Sequence, residues 1–125
     1  MTNGEKTFSQ QDMDDFGVAS GGTGLIHTEP EFAATTPFGA TLVQGVYLLA
    51  VIEKELCDRV PEWAGRGSLD VRFVSPVIAG VPFHVEITDD GNDGWSLLGS
   101  TPSGPAVVGT ARIRTGPDAA TATQH

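Results

Sequence analysis

His27 is the side chain of this sequence best placed to move a proton near neutral pH, where an unperturbed imidazole titrates. It follows a short glycine-rich stretch, Ser20-Gly21-Gly22-Thr23-Gly24, and is followed in turn by Glu29 and Glu31, with Asp15 a little upstream. Further on, Gly45 opens the longest apolar run, and an amide at the start of a helix can donate to an oxygen that gains negative charge. A base and such a donor, brought together, are what proton removal beside a carbonyl requires. Each residue also has a plainer reading. His27 could be a strut that hydrogen-bonds the loop, Gly45 a point of close packing against a sheet, and the three carboxylates surface or helix-start groups. Thr23 and Ser20 could orient water or simply shape the turn.

Other chemistries find little support. His84 alternates out of phase with the apolar set Phe83, Val85 and Ile87, which marks it as a solvent-facing or interface histidine. The single cysteine, Cys57, excludes an internal disulfide, and its apolar surroundings predict a buried structural thiol. No cluster of His, Cys, Asp and Glu has metal-ligand spacing, so no metal is expected, and no cofactor is implied. The stretch from Ser20 to Gly24 lacks the Gly-Lys-Ser/Thr ending of a phosphate loop, and no Gly-x-Ser-x-Gly elbow is present. The net charge of −9 argues against nucleic acid or anionic membrane as a partner, because polyanion binding needs clustered Lys and Arg. No apolar run approaches the roughly 20 residues of a spanning helix, and the polar start does not read as a signal peptide, so the expected location is cytoplasmic.

The elements that must position these groups can be traced from periodicity. With 125 residues, 39% of them hydrophobic, the chain suits one domain. Lys6-Thr7-Phe8 reads as an edge strand. Ser9, with Asp12 in the first turn, predicts a helix start whose apolar face includes Met13 and Phe16. Pro30 sits early in a short helical turn over Glu29 to Ala33. From Gly45 to Cys57 apolar residues cover most of the circumference, which predicts a helix buried on more than one side. Beyond Gly65-Arg66-Gly67 the period changes to two. Strands are expected around Leu69 to Phe73, Phe83 to Ile87, Trp95 to Ser100 and Ala106 to Ile113, with a turn at Asp89 to Gly94. Residues 1–114 thus form the expected domain, and 115–125, Ala/Thr-rich, a disordered tail. The class is α+β: one central buried helix wrapped by a curved antiparallel sheet.

Several segments then resemble a known family. Gly21-Gly22-Thr23-Gly24-Leu25-Ile26-His27-Thr28-Glu29-Pro30-Glu31-Phe32-Ala33 is similar to the MaoC-like hydratase segment, Gly-Asp-x-Asn-Pro-(Ile/Leu)-His followed by an acidic-Pro-Glu-aromatic-Ala turn. Gln44-Gly45-Val46 stands where the family commonly has His-Gly-Met. Val71 to Gly80 and Val108 to Ile113 continue the likeness, which spans about residues 8 to 113. The resemblance implies a single hot-dog domain that binds acyl thioesters of CoA or acyl carrier protein and hydrates or dehydrates them. It implies His27 as the catalytic acid/base and Gly45 as the carbonyl donor, with Gln44, Gly22, Thr23 and Gly24 in the substrate-binding region. The family's catalytic Asp falls on Gly22 and its Asn on Gly24. A pocket without that acid gains space and loses charge, unless Asp15, Glu29 or Glu31 substitutes.

That departure leaves three readings open. The first is a MaoC-like enzyme, with its chemistry intact or diverged to another conjugate addition, cyclisation or thioester hydrolysis. The second is a non-catalytic acyl-binding subunit paired with an intact MaoC-like partner. The third is a small-molecule-binding tailoring protein of secondary metabolism. All three imply a dimer, homomeric or heteromeric, with the pocket at the subunit boundary.

Overall fold

The computed structural model describes residues 4–92 and 94–114. The expected tail, 115–125, lies outside them. Strand β1 (Gly4–Thr7) leads into helix α1 (Gln10–Ser20), then two short helices, α2 (Leu25–Thr28) and α3 (Pro30–Ala34). The long helix α4 (Gly45–Arg59) follows, and then strands β2 (Gly67–Phe73), β3 (Pro82–Asp89), β4 (Gly94–Thr101) and β5 (Gly104–Ile113). The strands form one antiparallel sheet in the order β1-β3-β4-β5-β2.

Local sequence accounts for most boundaries. Ser9 caps α1 through a reciprocal capping box: its hydroxyl accepts the Asp12 amide at 3.0 Å, and its own amide donates to Asp12 Oδ2 at 3.2 Å. Gly21 ends α1 in the left-handed region with φ 84°, a conformation that costs any other residue strain. Pro30 occupies the first turn of α3, where its missing N–H is no loss. In β3 the alternation is clean: Phe83, Val85 and Ile87 are buried, while His84 is half-buried on the opposite face. A register shift at Gly99/Ser100 marks a bulge, a device that bends a sheet.

The core lies between the concave face of the sheet and α4. Leu48, Ile52 and Leu56 of α4 pack with Phe8, Met13, Phe83, Val85 and Val107. Trp63 seals the far end of the helix, donating its indole N–H to Glu53 Oε1 at 2.6 Å.

Two expectations are corrected. α4 is buried on one side only: Val46 is 63% exposed and Ala50 is also exposed. One sheet face cannot cover a helix that is apolar all round. Cys57 is exposed as well, because the buried stripe Leu48-Ile52-Leu56 places the position after Leu56 on the solvent side.

Candidate functional site

A short irregular ladder sets the site. Residues 41–43, before α4, run antiparallel to 77–79, after β2: Val43 N–H donates to Val77 O at 2.8 Å and Ala79 N–H to Thr41 O at 3.0 Å. This fixes where α4 begins relative to the end of the edge strand β2. The His27 segment is tied to the same ladder, because the Leu42 amide donates to Ile26 O at 3.0 Å.

His27 is held at both its ring and its backbone. Nδ1 lies 2.7 Å from Leu42 O, and since a carbonyl can only accept, Nδ1 carries the proton. Nε2 is thereby left as the basic nitrogen of the neutral ring. Gln10 Nε2 donates to His27 O at 2.8 Å, and Thr41 Oγ1 donates to Gln10 Oε1 at 2.7 Å. The backbone of α2 therefore cannot roll without breaking contacts to α1 and to the ladder.

Beside the imidazole is an open cavity of about 320 Å³. His27 and Gly45 both line it, together with Leu42, Val43, Leu48 and Val77, and its remaining wall is the run from Phe73 to Pro76. Two sequence candidates thus meet in one space. No side chain caps the amino end of α4: Gln44, the N-cap residue, turns its amide elsewhere. The lining contains no carboxylate among the described residues, and apart from His27 its one polar side chain is Ser75. Ser75 and Pro76 also border an adjoining recess of about 70 Å³ near Thr101 and Ser103.

The other candidates stand outside the lining. Gln44 is 4% exposed and donates from Nε2 to Met13 O at 2.8 Å and Gly22 O at 3.2 Å. Its Oε1 is buried with no hydrogen-bond partner. A side chain built on Gly22 would meet Gln44 Cγ and Ser20 Oγ at 3.4 Å, and one on Gly24 would lie 3.8 Å from the His27 ring. Thr23 is exposed, and its carbonyl accepts the Thr28 hydroxyl at 3.3 Å. Asp15 pairs with Gln11 at 2.8 Å, and Glu29 and Glu31 are exposed. Phe73, Ser75 and Leu48 were not singled out from sequence as site residues. The signal for Phe73 was present: it keeps the inward phase of Leu69 and Val71, and it sits beside the Ser75-Pro76 break.

A family model described as MaoC like domain matches residues 2–100. The chain belongs to this family. The MaoC-like chain matches no curated protein by sequence. Among solved structures it is similar to an (R)-hydratase from A. caviae involved in PHA biosynthesis, with TM-score 0.72 and 24% identity over 90% of this chain and 92% of that one. It is also similar to the R-hydratase PhaJ1 from Pseudomonas aeruginosa, with TM-score 0.71 and 18% identity over 92% and 80% of the two chains. A third similar structure is the ChsH1-ChsH2 complex from Mycobacterium tuberculosis, with TM-score 0.68 and 16% identity over 91% and 94%. At these identities the likeness carries the fold: a MaoC-like hot-dog domain, with the long helix α4 against a five-stranded antiparallel sheet. Among the described residues, no helix is long and apolar enough to cross a membrane.

Proposed function

We propose that this MaoC-like chain binds acyl thioesters, of CoA or of acyl carrier protein, and catalyses addition to or elimination across the alpha,beta bond. The observation that carries the reading is the shared cavity of His27 and Gly45. In the hydration direction, the Gly45 amide receives the thioester oxygen as it takes up negative charge. His27 Nε2 removes a proton from water while the water oxygen bonds to the beta carbon. The same nitrogen then returns that proton to the alpha carbon, so a 2-enoyl thioester and water become a 3-hydroxyacyl thioester. The Nδ1 contact to Leu42 O supports this role, since it presents Nε2 unprotonated and steadies the imidazolium once formed. Gln44 ties Gly22 of the glycine loop to α1 through its amide, Gly24 lies beside the His27 ring, and Thr23 is exposed on the same loop, where these residues border the acyl-binding region.

The lining without a carboxylate favours a second reading, in which the chain shapes the pocket for a companion chain carrying both Asp and His. Similarity to a complex of two different chains is in keeping with it. Either reading calls for a dimer, and the exposed apolar residues Val46 and Val74 near the cavity give a second subunit something to cover. Both also suit the cytoplasm, where thioesters of CoA and carrier protein are handled.

The test is incubation of the purified protein with crotonyl-CoA and longer enoyl thioesters, following loss of enoyl absorbance. His27→Ala should reduce the rate by about 10²-fold or more. An undiminished rate in that variant sinks the proposed mechanism. An inactive homodimer that gains activity with a co-purifying MaoC-like chain moves the assignment to the second reading.

A further inference from the structure

Phe73 occupies an unusual position for its phase. In β2 the inward set is Leu69, Val71 and Phe73, and the first two pack against the core. Phe73 does not join it. The residue is 51% exposed, and its ring leans over the first residue of α4. The three outer ring atoms, Cζ, Cε1 and Cε2, lie 3.5, 3.6 and 3.8 Å from where a Cβ on Gly45 would stand. The ring tip therefore fills the space directly over Gly45, and it also lines the cavity that His27 shares.

We propose that Phe73 is a specificity-determining residue, a wall over Gly45 that admits thin, unbranched acyl groups and rejects bulk at the alpha carbon. The inference rests on the thioester reading of the cavity. An acyl group whose carbonyl reaches the Gly45 amide puts its alpha carbon within one bond of that carbonyl, so any branch there competes with the phenyl ring for the same volume. An unbranched alpha carbon presents less width to the ring tip than a branched one does. Because the residue is half exposed, its ring is not locked by close packing on every side as a core ring is. Shortening it opens the wall without emptying the core.

The experiment measures binding, so it holds whether the chain is catalytic or not. Butyryl-CoA and isobutyryl-CoA, which differ by branching at the alpha carbon, are titrated calorimetrically into the intact protein and into Phe73→Ala and Phe73→Trp. The wild-type protein should bind the straight chain at least about tenfold more tightly. Phe73→Ala should bring the two affinities within about threefold by improving the branched ligand, and Phe73→Trp should weaken both. A ratio unchanged in Phe73→Ala, with the variant folded by circular dichroism, overturns the wall and leaves the thioester reading standing. Failure of the wild-type protein to bind either thioester overturns that reading, and the proposal with it. Should Phe73→Ala not fold, Phe73→Leu takes its place, with the same direction of change expected.

Discussion

The side-chain amide of Gln44 donates to the carbonyl of Gly22 at 3.2 Å. The resemblance sets both among the positions that depart from the family pattern, with Gly24, and the fold brings these two together. The same amide nitrogen reaches Met13 O at 2.8 Å, so one residue at the foot of α4 joins α1 to the glycine loop. The departures therefore form a connected pair, a neutral clasp in the region where the resemblance places an acid.

Gly22→Asp should be tolerated and should raise activity. Position 22 does not have a positive φ, and a Cβ there meets its neighbours at ordinary contact distance, 3.4 Å from Gln44 Cγ and Ser20 Oγ. The variant should keep its melting temperature within a few degrees and hydrate crotonyl-CoA at least about tenfold faster than the starting chain. A folded variant with no gain would show that a carboxylate at 22 does not reach the reacting water.

Substitutions at Gln44 should act through the clasp. Gln44→Met loses both hydrogen bonds and should destabilise the fold by about 1–3 kcal/mol. Gln44→Glu sets a carboxylate oxygen against two carbonyls, so folding raises the pKa of that group. At low pH, where the acid is protonated and can donate once, the variant should be at least as stable as Gln44→Met. It should lose further stability as pH rises through the carboxylate range. Denaturant midpoints measured across that range will show whether the two variants diverge.

Gly67→Ala should be among the most damaging small changes away from the site. A methyl there would be driven into the indole ring of Trp63, which is buried and tied to Glu53. Overpacking of this kind costs about 1–3 kcal/mol, occasionally more. The loss should appear as a lowered melting temperature without selective loss of ligand binding. A neutral outcome would mean that the Trp63 end of the core is loosely packed.

The capping box of α1 should be visible in acid. The backbone amide of Ser9 holds the Asp12 carboxyl below its ordinary value of 3.8, with Lys6 adding a weaker attraction at 3.8 Å. A carboxylate whose folded pKa is depressed contributes in full above its unfolded pKa and loses that contribution as pH falls through the lower folded value. Asp12→Asn should therefore be less stable than the parent at neutral pH and equal to it well below pH 3.8. Ser9→Ala, which removes the cap itself, should cost about 1 kcal/mol at neutral pH. A pH-independent difference for Asp12→Asn would exclude the ionised form as the source.

Much of this architecture is legible in local sequence. Period-two alternation in Phe83-Val85-Ile87, the Ser9 and Asp12 start of α1 and the early Pro30 are local signals, decided by residues within a turn or a strand of one another. Family membership rides on the same property, because a pattern of residue types in order survives without knowledge of contacts. His27 and Gly45 could be named as candidates from type and setting alone.

Their meeting could not. Eighteen positions separate them, and the ladder that joins 41–43 to 77–79 is held by backbone hydrogen bonds, which carry no residue signature. For the same reason the sequence misjudged α4 and Cys57: hydrophobicity tells how much surface seeks cover, and only packing tells which side receives it. Phe73 keeps the phase of an inward strand residue, yet the fold leaves it half exposed with its ring over Gly45. Short-range preferences selected the elements, and long-range geometry decided which of their faces meet across the cavity.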